Sequence, residues 1–296
     1  MTPRPPTLRV RRWRRPAARD LPDLVRLLAD WPAPDGGAVR HQLPLVGIDE
    51  GGPDAVRITG DPRAVRADGG AAVGVAVRTG GEVLAVGGDP AVLRRAVGTP
   101  PAWRLLVGDR AACAAVLATA ARPARVVLAQ RLMVLDPARL PDADALPDPG
   151  LRPAEEADLD ALAELAVRLH VDDGFGPDPG PGGRAGYRAR LRSAVRAGTI
   201  DCLGPVGDPV AKLERAVRSE RWGTQLAGIV VRPDVRGRGL GRALVAEVAR
   251  RLVATGGGAG TPAVTLHTRA ANVPALRAYA AAGFRAGEDW CLALRP

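Results

Sequence analysis

Apolar residues in the second half of the chain follow two different spacings, and each change of spacing marks an element. Residues 229–231 (Ile-Val-Val) form a β-branched run that reads as the end of a buried strand. Pro233 and Asp234 break it and an arginine/glycine turn follows. Leu240, Leu244, Val248 and Leu252 then recur at helical spacing, with Arg242, Glu247 and Arg250 on the other faces. Upstream, a short strand begins at Leu151, and Leu159, Leu162, Leu165 and Leu169 predict an amphipathic helix over 155–170. Residues 172–183 read as a glycine/proline loop, and 187–197 as a second helix. Strands are predicted at 200–203, 210–217 and 224–231, and 263–268 alternates like another. Pro274 suits the first turn of a final short helix and Gly283 its C-terminal cap.

The first half has the same mixed character. Strand-like runs stand at 72–77 and 83–86, a helix starts at Pro90, and a strand at 103–107 leads into a helix over 109–121. Residues 136–150, rich in proline and aspartate and without sustained period, read as a linker. The expected division is therefore a domain over 1–145 and a second over 150–296. Arg15-Pro16-Ala17 followed by Asp20-Leu21 parallels Arg152-Pro153-Ala154 followed by Asp158-Leu159, so the first half echoes the start of the second. An unrelated α/β domain with a chance match is the other reading.

The turn from Arg236 to Gly241 carries the chemistry. A glycine-rich turn ahead of a helix start presents backbone N–H groups at the positive end of the helix dipole, a site for phosphate or pyrophosphate. A P-loop requires Gly-Lys-Ser/Thr, and the only lysine in the chain is Lys212. A dinucleotide fingerprint requires Gly-x-Gly-x-x-Gly with an acid about twenty residues on. Here the spacing is Gly237-x-Gly239-x-Gly241, and no carboxylate stands between Glu247 and Glu288. What remains, Arg-x-x-Gly-x-Gly between strand and helix, resembles the acyl-CoA pyrophosphate loop of the GNAT superfamily of N-acetyltransferases.

The resemblance continues downstream. Asn272, Tyr279, Gly283 and Phe284 match the strand, Asn, alanine-rich helix with Tyr, and closing Gly-Phe that form the other wall of the CoA groove in that superfamily. The element order of the second half is also the GNAT order. The resemblance implies a mixed, mostly antiparallel sheet flanked by helices, with a degenerate GNAT-like first half in which Val86-Gly87-Gly88-Asp89-Pro90 makes a poor anion site. It extends to bacterial tandem proteins with a divergent N-terminal domain, whose acidic loop and Tyr-Arg-x-Arg are answered by Asp173-Gly174-Phe175-Gly176 and Tyr187-Arg188-Ala189-Arg190. The mycothiol synthase group is a weaker match.

The activity implied is direct transfer of an acetyl group from acetyl-CoA to an amine of a small molecule or protein. The backbone of Ile229, Val230 and Val231 is expected to bind pantetheine. Arg236, Gly237, Arg238, Gly239, Leu240, Gly241 and Arg242 are expected to hold the pyrophosphate, and Asn272 to line the groove. Tyr279 is the expected proton donor to the departing thiolate. Glu214 is the candidate base for the amine, with Glu220 as fallback; Lys212 and Glu214 read equally well as a structural ion pair. A non-catalytic acyl-CoA sensor and a transferase of a longer acyl group stay open.

Composition narrows the rest. The formal charge of +10 comes almost wholly from arginine scattered among acids, with 3% aromatic residues, so nucleic acid is not an expected partner. Cys113, Cys202 and Cys291 are odd in number and far apart, and His41, His170 and His267 are scattered, so neither a disulfide framework nor a metal site is expected. No apolar run approaches membrane-spanning length, and the arginine-rich start lacks the apolar segment of a secretory signal, which gives a cytoplasmic expectation. The sequence names neither the acceptor nor the oligomeric state.

Overall fold

The computed structural model describes residues 48–50, 56–58, 61–66, 72–79, 83–88, 90–95, 103–143, 150–219, 223–255 and 263–295. Their elements in chain order are β1 (Ile48–Glu50), β2 (Val56–Ile58), β3 (Asp61–Arg66), β4 (Ala72–Thr79), β5 (Val83–Gly88), α1 (Pro90–Arg95), β6 (Leu105–Asp109), α2 (Arg110–Ala118) and β7 (Val126–Leu135). The second half adds β8 (Arg152–Pro153), α3 (Leu159–Asp172), α4 (Gly180–Arg196), β9 (Ile200–Leu203), β10 (Ala211–Ser219), β11 (Gly223–Val231), α5 (Leu240–Thr255), β12 (Val264–Arg269), α6 (Val273–Ala281) and β13 (Phe284–Leu294). The order read from the sequence, strand, two helices, three strands, helix, strand, helix, strand, is reproduced in the second half. The parallel between the Arg15 and Arg152 segments involves residues outside those described, as do Glu220, His41 and the arginine-rich start.

The chain groups into two compact units. One comprises Met1–Ala129 with Glu288–Pro296, the other Gln130–Gly287. They differ from the expected domains in the placement of residues 130–145 and 288–296. In the first unit β3, β4 and β5 pair antiparallel in succession, and β5 then pairs parallel with β6 across α1. Residues 290–294 of β13 lie antiparallel on the other side of β6. Leu84, Leu93, Trp103, Leu106, Cys113, Val116 and Ala293 close its core. Asp109 caps α2 through hydrogen bonds accepted from the Ala111 and Ala112 N–H groups at 2.9 Å.

In the second unit β8, β9, β10 and β11 are antiparallel neighbours, β11 and β12 are parallel, and residues 130–134 of β7 pair antiparallel with β12. The sheet is mixed and mostly antiparallel. Leu213, Leu226 and Leu266 face Leu244 and Val248 of α5 and Tyr279 of α6 in the main core; Leu159, Leu162, Leu191, Ile200 and Cys202 form another beneath α3 and α4. Asp158, fully buried before α3, accepts from Arg152 at 2.8 and 2.9 Å and from the Glu155 and Gly207 N–H groups. That locks the first strand to the first helix.

Helix α4 starts earlier than the glycine-rich sequence predicts. Asp178 accepts from the Gly180 N–H at 2.8 Å, Pro181 falls in the first turn where its missing donor is harmless, and Arg184 bridges Asp178 and Glu164. Side-chain anchoring outweighs the poor propensity of Gly-Pro-Gly-Gly.

Candidate active site

Strand β11 shapes the site. Its parallel pairing with β12 runs from Thr224–Val264 to Leu226–Leu266 and goes no further. On its other side, β11 carries one residue more than β10 between the pairs Lys212–Val230 and Glu214–Ala227. This is a β-bulge, and Gly228 sits in it at φ +58°. A Cβ at Gly228 would stand 2.6 Å from Glu214 Oε1 and 2.9 Å from Lys212 Nζ, so a side chain there would have to displace that ion pair. Lys212, fully buried, donates from Nζ to the Gly228 carbonyl at 3.0 Å and to Glu214 at 2.5 Å. Glu214 also accepts from both Arg190 nitrogens at 2.7 and 3.1 Å.

Beyond the bulge β11 leaves β12, and a cleft of about 600 Å³ opens beside Ile229, Val230 and Val231. The predicted loop residues Arg236, Gly237, Gly239, Leu240, Gly241 and Arg242 line it, and Asn272 and Tyr279 face them from the far wall. Arg238 is exposed on the same turn. Gly237 and Gly239 hold φ of +80° and +79°, and nothing lies within 4 Å of where their Cβ atoms would be. The Ala243 N–H is donated to the Gly239 carbonyl at 3.0 Å, so the amides before it stand at the open, positive end of the helix. Arg242 Nε is buried without a hydrogen-bond partner among the described residues. Open amides and an orphaned guanidinium donor suit a pyrophosphate.

Not every predicted loop group is open. The Arg236 N–H is donated to the Pro233 carbonyl, while its side chain donates to the Val231 carbonyl and to Asp172, each at 2.8 Å. Arg236 therefore ties the loop to the strand end and to helix α3. Asn272 caps α6 through its side-chain oxygen, which accepts from the Ala275 N–H at 3.2 Å. Its amide nitrogen is the part left to face the cleft.

Tyr279 is buried, and burial followed by the negative charge of Asp173 holds its phenol well above the usual tyrosine range. It is neutral at ordinary pH and able to donate. Glu214 does not line the cleft. Burial opposes its ionisation, but Lys212 and Arg190 outweigh burial and bring its carboxyl down to about 2. A carboxylate so held is a weak proton acceptor, and its surroundings are those of the structural pair. The same contact leaves Lys212 below the usual lysine range, because desolvation of its ammonium exceeds what Glu214 returns. The ion pair therefore favours the carboxylate's charge more than the ammonium's.

Leu169, Asp172, Asp173 and Arg269 also line the cleft; the sequence pointed to Leu169 only as part of a helix stripe and to Asp173 only as part of the acidic loop of the resemblance, and to Asp172 and Arg269 not at all as site residues. The available signal was the Val-Asp-Asp at the end of the leucine stripe of α3, where the helix closes over the strand. Among the described residues no group of three or more His, Cys, Asp or Glu is placed to hold a metal, and no helix is long and apolar enough to cross a membrane. The three cysteines are buried and unpaired as disulfides.

Comparison with known proteins bears on the fold and on one segment of the chain. Residues 202–284 match the model of the acetyltransferase (GNAT) family. A GNAT-family acetyltransferase from Colwellia psychrerythraea superposes with a TM-score of 0.54 at 13% identity, covering 95% of this chain and 98% of that one. A GCN5-related N-acetyltransferase from Sphaerobacter thermophilus gives 0.51 at 17% identity, covering 96% of each chain. A tandem GNAT protein from the clavulanic acid biosynthesis pathway gives 0.50 at 16%, covering 98% and 99%. At such identities these likenesses speak for the fold. No curated protein matches the chain by sequence. The strand bulge, the glycine loop and Tyr279 all fall within residues 202–284, the segment that matches the acetyltransferase (GNAT) family model.

Proposed function

We propose that the protein moves an acetyl group from acetyl-CoA to an amine by direct transfer, with no acyl-enzyme. The observation that carries this reading is one cleft shared by the splayed strand end, the open loop amides with Arg242, and the buried neutral Tyr279. The backbone of Ile229, Val230 and Val231 takes pantetheine as an added strand edge. The amides of Gly237 to Arg242 and the Arg242 guanidinium hold the pyrophosphate. An amine attacks the thioester carbonyl in its neutral form, the carbon–sulfur bond breaks, and Tyr279 gives its proton to the departing thiolate. The Lys212–Glu214–Arg190 group holds the bulge that opens the strand. The first unit is a degenerate half of the same kind. Its antiparallel β3–β4–β5 run and parallel β5–β6 step across a helix follow the pairing order of β9 to β12.

The test is incubation of the purified protein with acetyl-CoA and a panel of primary amines, following thiol release and the acetylated product. Transfer to at least one amine is expected. Tight acetyl-CoA binding with no thiol release above the blank would make the protein a sensor instead. Faster release from a longer thioester than from acetyl-CoA would change the acyl group.

A further inference from the structure

Two carboxylates end helix α3 side by side, and the fold neutralises only one of them. Asp172 pairs with Arg236 at 2.8 Å and with Arg168 at 3.0 Å. Asp173 donates its backbone N–H to the Leu169 carbonyl at 2.8 Å as the helix cap. Its carboxylate makes no ion pair within 4.0 Å and no hydrogen bond among the described residues. It is half-buried and lines the cleft with Tyr279, close enough for its charge to act on the phenol.

Only Arg269 favours a charge there, and it does not outweigh burial. The C-terminal end of a helix is the negative end of its dipole, and a second carboxylate is adjacent. Burial, and then Asp172, push the Asp173 carboxyl up, while Arg269 pulls against them. The groups that interact with it are Arg269 of β12, Tyr279 of α6 and Asp172 of its own helix, while Arg236 and Arg242 line the same cleft. Arg269 is turned to the Asp172 backbone carbonyl, to which its Nη1 donates at 3.1 Å. A half-buried carboxylate kept unpaired beside an acid in a cleft fits a ligand's positive charge better than it fits stability.

We propose that Asp173 receives the acceptor, which is a cationic amine, and takes the proton that must leave its ammonium before attack. This rests on the acyl-transfer reading above and deepens it. The ammonium R–NH3+ gives one proton to Asp173 and becomes R–NH2, whose lone pair attacks the thioester carbonyl. Collapse of the adduct breaks the carbon–sulfur bond, and the thiolate takes the Tyr279 proton. The nitrogen's surplus proton returns to the tyrosinate, and Asp173 later releases its proton to water. One ammonium and one thioester become an amide, a thiol and a proton.

The test uses the full chain and its Asp173→Asn and Asp173→Glu variants. The probes are acetyl-CoA with spermidine, tyramine, an aminoglycoside and a lysine-containing peptide, the best amine being carried forward. Asp173→Asn is expected to keep acetyl-CoA affinity within about threefold by calorimetry and to lower kcat/KM at pH 7 by about a hundredfold or more. The loss should shrink as pH rises and free amine accumulates, and Asp173→Glu should recover part of the rate. Weaker binding of the same amine to the CoA-saturated Asn variant would support the charge pairing. An Asn variant as active as the parent at pH 7, or one whose loss lies wholly in acetyl-CoA affinity, overturns the role of Asp173 and leaves acyl transfer standing. No transfer by the parent to any of these amines overturns both.

Discussion

A phenol acts as an acid only while it holds its proton, and Tyr279 is kept in that form by burial and by Asp173. Tyr279→Phe removes one hydroxyl and little volume. It should leave acetyl-CoA affinity unchanged by calorimetry and lower kcat by roughly ten- to a thousandfold. A Phe variant with full kcat would mean that water protonates the thiolate. Glu214 makes a different prediction. Its carboxyl drops from an ordinary 4.5 to about 2 in the folded chain. The stability it contributes is therefore complete above 4.5 and lost as pH falls through about 2. Glu214→Gln should lower stability at pH 7 by about 1–3 kcal/mol, since Lys212 is left without its counter-charge. The difference between the two melting temperatures should narrow as pH falls from 4.5 towards 2. Any loss of rate should be the same at every pH. A rate loss confined to low and neutral pH would return Glu214 to the role of base.

At the scale of the element, the bulge in β11 decides where the cleft begins. Gly228 meets the Lys212–Glu214 pair where a Cβ would lie and holds a positive φ. Gly228→Ala combines a left-handed cost of about 1–2 kcal/mol with displacement of that pair. A clear fall in melting temperature is expected, with weaker acetyl-CoA binding, because the strand end beyond the bulge moves. An Ala variant that binds acetyl-CoA as the parent does would mean that the strand keeps its splay without the bulge. The strand itself was legible from its β-branched residues, and the loop from its glycines. The bulge was not, because one extra residue in a strand leaves no mark until the partner strand is known. The start of α4 was misjudged for a related reason: Asp178, Arg184 and Glu164 stabilise it, and Glu164 lies on another helix.

At the scale of the whole molecule, chain order and spatial grouping part company. Residues 130–134 pair with β12, and residues 290–294 pair with β6. A fragment over 150–296 has no partner for that edge of β12, whereas a fragment over 130–287 keeps it. The fragment 130–287 should melt cooperatively and bind acetyl-CoA. The fragment 150–296 should associate on size-exclusion chromatography through its open strand edge. A monomeric, cooperative 150–296 fragment would show that the linker is the working boundary.

The order of elements, the position of the glycine turn and the tyrosine helix were determined by the sequence alone, since each rests on contacts between residues close in the chain. Local periodicity and turn chemistry do not depend on what packs against them. The tertiary structure decided which charges are free. Asp172, Asp173 and Glu214 are alike as letters, yet Asp172 meets Arg236 from sixty-four residues away and Glu214 meets Arg190 from another element, while Asp173 is left unpaired facing Tyr279. A carboxylate's chemistry is set by the charges and burial around it, and those arrive only when distant segments come together.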